Sequence, residues 1–308
     1  MPIQAYSRVR TTGPGARIAL VAPAGPLRSD MDVDTAIANI ESFGWDAAVG
    51  DHVLARYSYF AAPDSDRITD FNAALHDDGV DAIWCLRGGY GAMRIVEHLD
   101  YDAARRHPKP IMGYSDVSVL HAAFGRACET VSYHSPNART ALSPFARESF
   151  ELAVVRGIDS CGVAPDARVI RGGSARGRLA GGNLSLISSL VGTPYLPDLD
   201  GAILVIEDTN EALYRIDRML TQLSLAGELS GLKAIAFGYC TSCDADESPG
   251  DTRESRTLDV VLAEIAHGLG IPCIAGMPMG HVDDQWTIPL GAVATLDADS
   301  LTLSVENS

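Results

Sequence analysis

A serine, a histidine and a glutamate in this sequence occupy settings suited to covalent hydrolysis. Ser115 falls in Ile111-Met112-Gly113-Tyr114-Ser115-Asp116-Val117-Ser118-Val119-Leu120, which reads as a short buried strand, a sharp turn and an apolar-periodic helix running towards Gly125. A hydroxyl there lies at the carboxyl end of a strand, where open α/β sheets bind ligands. It also lies at a helix N-terminus, whose free N–H groups and dipole can stabilise an oxyanion. The setting is that of a nucleophile elbow without the G-x-S-x-G spelling, since Val117 stands where the second glycine would be. An ordinary serine N-cap fits the same residues.

A serine becomes a nucleophile only beside a base, and the base needs a third group to orient it. Of the eight histidines, His52, His76, His98 and His107 fall in loops or helix ends among charges and read as solvated. His121, one turn into the helix, reads as packed and hydrogen-bonded, and His134 as ending a strand and lining a cleft. His281 follows Pro272-Cys273-Ile274-Ala275-Gly276-Met277-Pro278-Met279-Gly280, a strand entering a Gly/Pro loop, where a rigid scaffold presents catalytic side chains. Glu207 closes the apolar run 202–206, so its carboxylate emerges partly desolvated and needs a partner. A salt bridge to Arg215 or Arg218 would serve that need as well as a catalytic histidine would. Asp208 suits the cap of the following helix.

The turn Arg87-Gly88-Gly89-Tyr90-Gly91 follows the strand-like run 82–86. It lacks the third glycine and the acidic residue of a dinucleotide fingerprint, and its free N–H groups suit an oxyanion hole better. Arg87 is a candidate to bind a substrate carboxylate, with a structural ion pair as the alternative. Asp283 and Asp284 match no metal-ligand spacing. Cys240-Thr241-Ser242-Cys243 has C-x-x-C spacing without a second pair or a nearby histidine, so the six cysteines read as reduced, mostly buried thiols.

The elements that must position these residues alternate through the first 135 positions. Strand patterns fit 17–22, 46–49, 82–86 and 110–113; helical ones fit 33–43, 65–76, 91–98 and 116–127. Such alternation predicts βαβ units and a mainly parallel sheet covered by helices. Residues 136–176 read as a connection with one helix near 146–155. Beyond them come helices at 184–191, 212–225 and 258–269, strands at 202–206 and 232–237, and a strand-rich tail over 288–305. An acidic segment, 241–256, reads as a surface loop. The expected domains are thus 1–135 (α/β, carrying the serine), 136–176 (connection) and 177–308 (carrying the glutamate and histidine), with the site in the cleft between them. With 308 residues and 46% hydrophobic content the chain has ample core, and its net charge of −16 disfavours nucleic acid and anionic membranes as partners. With neither an apolar leader core nor a membrane-length apolar run, the cytoplasm is the expected location.

Three ordered blocks give these pieces a family likeness. The first runs from Ile83 through Arg87-Gly88-Gly89-Tyr90-Gly91-Ala92 to Gly113-Tyr114-Ser115-Asp116. The second is Gly177-Arg178-Leu179-Ala180-Gly181-Gly182-Asn183-Leu184-Ser185-Leu186, continuing through Gly192-Thr193-Pro194-Tyr195 to Glu207-Asp208 and Tyr214-Arg215-Ile216-Asp217-Arg218. The third is Gly280-His281 followed by Ile288-Pro289-Leu290-Gly291-Ala292. Over nearly its whole length the chain resembles the L,D-carboxypeptidase family of serine peptidases, which includes the microcin-immunity peptidases. The resemblance implies a flavodoxin- or glutamine-amidotransferase-like N-terminal α/β domain with a parallel sheet, followed by a smaller β-rich α+β domain. It also implies a triad of Ser115 (nucleophile), His281 (base) and Glu207, with an oxyanion hole from the N–H groups of Gly89 and Asp116. No metal or organic cofactor is implied, and a homodimer is.

The substrate implied is a murein tetrapeptide, cut at the L,D-amide of its terminal D-alanine during peptidoglycan recycling. The rival within the family is an amide in a peptidyl- or aminoacyl-nucleotide. The passage 183–207, with Tyr195 as its sole aromatic, favours the murein peptide. A nucleotide-binding oxidoreductase and a non-catalytic binding protein are the readings of other classes. Where family members often carry His-Gly-Pro this chain has His134-Ser135-Pro136-Asn137, which implies a differently shaped wall.

Overall fold

Period-two alternation decides how the first strand packs. Ile18 and Leu20 enter one core while Ala19 and Val21 enter another, so the strand is buried on both faces, as a central parallel strand must be. The computed structural model describes residues 5–7, 9–243 and 256–306. In chain order the first half contains β1 (Arg17–Val21), α1 (Met31–Ser42), β2 (Asp46–Val49), α2 (Asp64–His76), β3 (Ala82–Cys85), α3 (Ala92–Ile95), α4 (Tyr101–Arg106), β4 (Ile111–Gly113), α5 (Ser118–Cys128) and β5 (Ser132–His134). A 3-10 turn, Ser115–Val117, joins β4 to α5.

The second half contains α6 (Pro144–Phe150), β6 (Gly162–Val163), β7 (Arg168–Arg171), β8 (Ser174–Asn183), α7 (Leu184–Ser189), β9 (Ala202–Thr209), α8 (Leu213–Leu225), β10 (Ala234–Thr241), α9 (Leu258–Leu269), β11 (Cys273–Ala275), β12 (Ile288–Leu290), β13 (Val293–Asp297) and β14 (Thr302–Val305). The α/β architecture follows the sequence pattern. The pattern did not announce α4, β6, β7 or β8.

Two sheets result. The first has the order β12-β5-β4-β3-β1-β2, parallel except for β12, which runs antiparallel to β5. Its parallel part, 2-1-3-4-5, is the flavodoxin order, whose switch point lies between β1 and β3. The second sheet has the order β6-β14-β13-β8-β9-β10-β11-β7, with a parallel centre, β8 to β11, flanked by antiparallel strands. Strands β6 and β7 come from the segment between the two halves, and β12 crosses back to complete the first sheet. Trp84, Met112, Leu179, Ile203, Val205, Ile274 and Met279 share one hydrophobic cluster, so the two sheets have a common core.

One expectation is corrected. Cys240 and Cys243 form a disulfide, because the turn that ends β10 brings their Cα atoms to 5.5 Å, within bridging range. Cys85, Cys128, Cys161 and Cys273 are free thiols. The acidic loop expected over 241–256 falls mostly outside the described residues. Among the described residues no helix is long and apolar enough to cross a membrane.

Candidate active site

Ser115 is the first residue of the 3-10 turn and has φ +67°, the left-handed region that side chains other than glycine rarely adopt. Tyr114 takes the N-cap position, so Ser115 is not the helix cap that its residue type suggested. The turn is held from three sides. Tyr114 N–H donates to Asn137 Oδ1 at 3.2 Å, Ser135 N–H donates to Gly113 O at 3.1 Å, and His121 Nε2 lies 2.9 Å from the same carbonyl. The glycine turn after β3 closes the fourth. A Cβ on Gly88 would stand 2.7 Å from Ser115 Cβ and 2.9 Å from its Oγ, so only glycine lets this backbone rest on the serine.

Asp116 is buried, and its carboxylate accepts the Ala92 N–H at 2.7 Å, tying the elbow to the end of the glycine turn. Burial raises its pKa to about 6. Asp116 N–H is among the first donors of the turn, which have no intrahelical acceptor, and Gly89 lies one residue beyond the Gly88–Ser115 contact.

Glu207 and Asp208 are adjacent yet serve different neighbours, because successive side chains on a strand point to opposite faces. Glu207 shares the face of Ile203 and Val205, towards the first sheet. Its side chain has no exposed surface, and Oε2 lies 2.9 Å from His281 Nδ1. Asp208, on the helix-covered face, accepts the N–H of Ser185 at 2.9 Å and its Oγ–H at 2.8 Å, so it binds the first turn of α7 rather than the helix that follows it. The bridges from Glu207 to Arg215 or Arg218 are not made; Arg215 pairs with Glu211, and Arg218 lies over the Tyr214 ring.

The loop after β11 can pass over Glu207 because Gly280 has φ +115° and no side chain. A Cβ there would meet Glu207 Oε2 at 2.8 Å. His281 then stands edge-on to Tyr114, ring centroids 4.9 Å apart, one residue from Ser115. No hydrogen bond joins Ser115 Oγ to His281 among the described residues. Such bonds are often long before substrate is in place.

Asn183 is the residue that sequence reasoning missed. It pairs in register with Glu207 across β8 and β9, and its Nδ2 lies 3.1 Å from Glu207 Oε1 and 3.2 Å from Asp208 Oδ1. Its Oδ1 accepts the Leu186 N–H as N-cap of α7, and its own N–H donates to Ser118 Oγ at 2.9 Å, joining β8 to α5. The sequence signal was that of a capping asparagine; nothing in it linked position 183 to position 207.

His134, expected to line the cleft, is instead fully buried, because β5 lies between β4 and β12 with this residue beneath the elbow. Neither of its ring nitrogens has a partner, and burial drives its pKa down to about 3. Ser135 is buried too, so the departure from His-Gly-Pro lies under the site rather than on its wall. His52, His76 and His107 pair with Asp70, Asp100 and Asp78. Arg87 is half-buried and donates to Pro26 O. Burial, then the nearby Arg139, lowers its pKa. Among the described residues no group of three His, Cys, Asp or Glu side chains is arranged to hold a metal ion.

Two family descriptions match the chain: the LD-carboxypeptidase N-terminal domain over residues 18–135 and the LD-carboxypeptidase C-terminal domain over residues 176–296. The chain belongs to the LD-carboxypeptidase family. It is 36% identical over 307 residues to a Streptomyces coelicolor protein provisionally named a carboxypeptidase, covering 95% of this chain and 94% of that one. It is 33% identical over 297 residues to the murein tetrapeptide carboxypeptidase of Pseudomonas aeruginosa, covering 92% and 94%. Among solved structures, an MccF-like protein from Bacillus anthracis superposes with a TM-score of 0.87 at 22% identity, over 98% of this chain and all of that one, a likeness of fold. The family resemblance and the α/β fold expected from the sequence therefore hold, and the chain is a carboxypeptidase-family protein.

Proposed function

We propose that this protein is a serine-type L,D-carboxypeptidase that removes the terminal D-alanine from a murein tetrapeptide, in the cytoplasm, during peptidoglycan recycling. The observation that carries the reading is the 2.9 Å contact between the buried Glu207 carboxylate and His281 Nδ1, beside a serine held at positive φ. A carboxylate on Nδ1 fixes the tautomer that leaves Nε2 free to act as base. The likeness to the P. aeruginosa enzyme, named for murein tetrapeptide, supports the substrate.

In this mechanism Ser115 Oγ attacks the carbonyl of the diamino acid's L-centre while His281 Nε2 takes the hydroxyl proton. The N–H groups of Gly89 and Asp116 receive the developing oxyanion, each worth roughly 3–4 kcal/mol of barrier. The C–N bond then breaks as the imidazolium returns its proton to the departing D-alanine amine. Water, deprotonated by His281, attacks the acyl-serine, and the proton returned to Oγ frees the tripeptide.

The test is mass-spectrometric detection of D-alanine released from the L,D-linked tetrapeptide. Wild type should release it, and Ser115→Ala should lose about 10⁶-fold in rate, as nucleophile removal does in other triads. Release by neither, with turnover of an aminoacyl-adenylate analogue, would move the substrate to a nucleotide-linked amide.

A further inference from the structure

Four guanidinium groups converge where the strand order of the first sheet reverses. The loop after β1 and the loop after β3 meet there: Gly25 N–H donates to Gly88 O at 3.0 Å, and the Gly25 backbone packs on Gly89. Onto the β1 loop come Arg87, which donates to Pro26 O, and Arg56, whose Nη2 donates to Leu27 O at 3.0 Å. Arg28 ends that loop, its backbone N–H donating to Asp32 Oδ2 at 2.8 Å, and its charge acts on Arg87 together with those of Arg56 and Arg139. Arg139 lies with Nη1 3.6 Å from Asp32 Oδ1, beyond hydrogen-bond reach.

Asp32 is the carboxylate that faces these arginines, and it cannot neutralise four of them. Donors also remain unused. Arg139 Nε is buried without a partner, and Arg87 spends one N–H on Pro26 while a guanidinium carries five. Arg139 acts electrostatically on both Arg87 and Tyr114, so the cluster reaches the residue before the nucleophile.

We propose that Arg28, Arg56, Arg87 and Arg139 form a subsite at the β1/β3 switch point that binds the carboxylates of an acidic peptide and sets its register on Ser115. The argument rests on the hydrolase reading above and deepens it. A chain of net charge −16 repels an acidic substrate at long range. Screening over about 8 Å leaves the local field in control, and here that field is positive. The terminal D-alanine of the tetrapeptide carries a free carboxylate, and each acidic residue before it adds another. Guanidinium forks match carboxylates in a paired geometry that lysine cannot reproduce.

The test measures binding of the tetrapeptide, and of the same peptide with its carboxylates amidated, by calorimetry on the full-length Ser115→Ala protein. Adding Arg56→Gln and Arg139→Gln should weaken tetrapeptide binding at least tenfold and flatten its salt dependence, leaving the amidated peptide unaffected. Unchanged tetrapeptide affinity in a folded variant overturns the subsite, as does failure of the Ser115→Ala parent to bind the tetrapeptide. Arg56→Gln alone, at an exposed side chain, covers the case in which the double variant unfolds. D-Alanine release with arginine-insensitive binding would sink the subsite and spare the hydrolase. Arginine-dependent binding without release would do the reverse.

Discussion

Glu207 holds His281 Nδ1 at 2.9 Å with one carboxylate oxygen and receives Asn183 Nδ2 at 3.1 Å on the other. The carboxylate is therefore pinned in rotation at both ends, and its buried charge is hydrogen-bonded on both oxygens. Asn183 also bonds Asp208, so one amide separates two neighbouring acids; burial raises the pKa of Asp208. Asn183→Ala should leave Glu207 free to turn and Asp208 less well paired. The expected outcome is about a tenfold or greater fall in kcat with KM little changed. Glu207→Gln, which keeps the shape but not the charge, should cost on the order of 10⁴ in kcat by analogy with other triads. Steady-state kinetics on both variants, with circular dichroism as a control for folding, checks this. An Asn183→Ala enzyme whose kcat matches that of wild type would show that the amide serves α7 alone.

Gly88 offers a different test, one of space. A methyl group there would lie 2.7 Å from Ser115 Cβ, closer than two carbons can approach, so either the serine or the β3 loop must move. Gly88 has no positive φ requirement, so the cost falls on position rather than on backbone strain. Gly88→Ala should reduce kcat/KM by 10²-fold or more, since displacements near 1 Å carry such penalties. Its melting temperature should fall by only a few degrees, as for a change of about 1 kcal/mol. Turnover and thermal melts together decide the matter; full activity would mean that the loop relaxes away from Ser115.

Much of this was legible in the sequence, for identifiable reasons. The strands of the first sheet are short apolar runs bounded by turns, and α1, α2 and α9 show clear helical periodicity, so local pattern located them. Strand β8 escaped because Arg176-Gly177-Arg178 and Gly181-Gly182 lack the branched residues that mark strands. Those glycines answer to tertiary contacts: a Cβ on Gly182 would meet Ser118 Oγ at 2.5 Å. Ser115, Glu207 and His281 each carried a local signal, a turn or a strand end. Asn183 carried only that of a helix cap, and its link to Glu207 exists through strand register. His134 misled because a histidine ending a strand suggests a cleft, whereas the antiparallel return of β12 seals it in.

That sealed pair of histidines sets the last expectation. His121 and His134 are buried beneath the elbow, with pKa values lowered by burial to about 4 and about 3. An unfolded chain protonates both near pH 6.5. Between those limits the unfolded state binds more protons, so stability is highest above pH 6.5 and falls as pH drops towards 4. Each histidine adds up to about 1.4 kcal/mol per pH unit to that slope. Asp116 works in the opposite sense: its pKa of about 6 makes the folded state the better proton binder between pH 4 and 6, offsetting part of the loss. Since neither nitrogen of His134 has a partner, His134→Leu removes a titrating group without orphaning another. Urea denaturation at half-unit steps from pH 4.5 to 7.5 should show the variant losing stability less steeply on acidification than wild type. Parallel curves would mean that His134 is solvated or partnered in solution and does not titrate as a buried neutral ring.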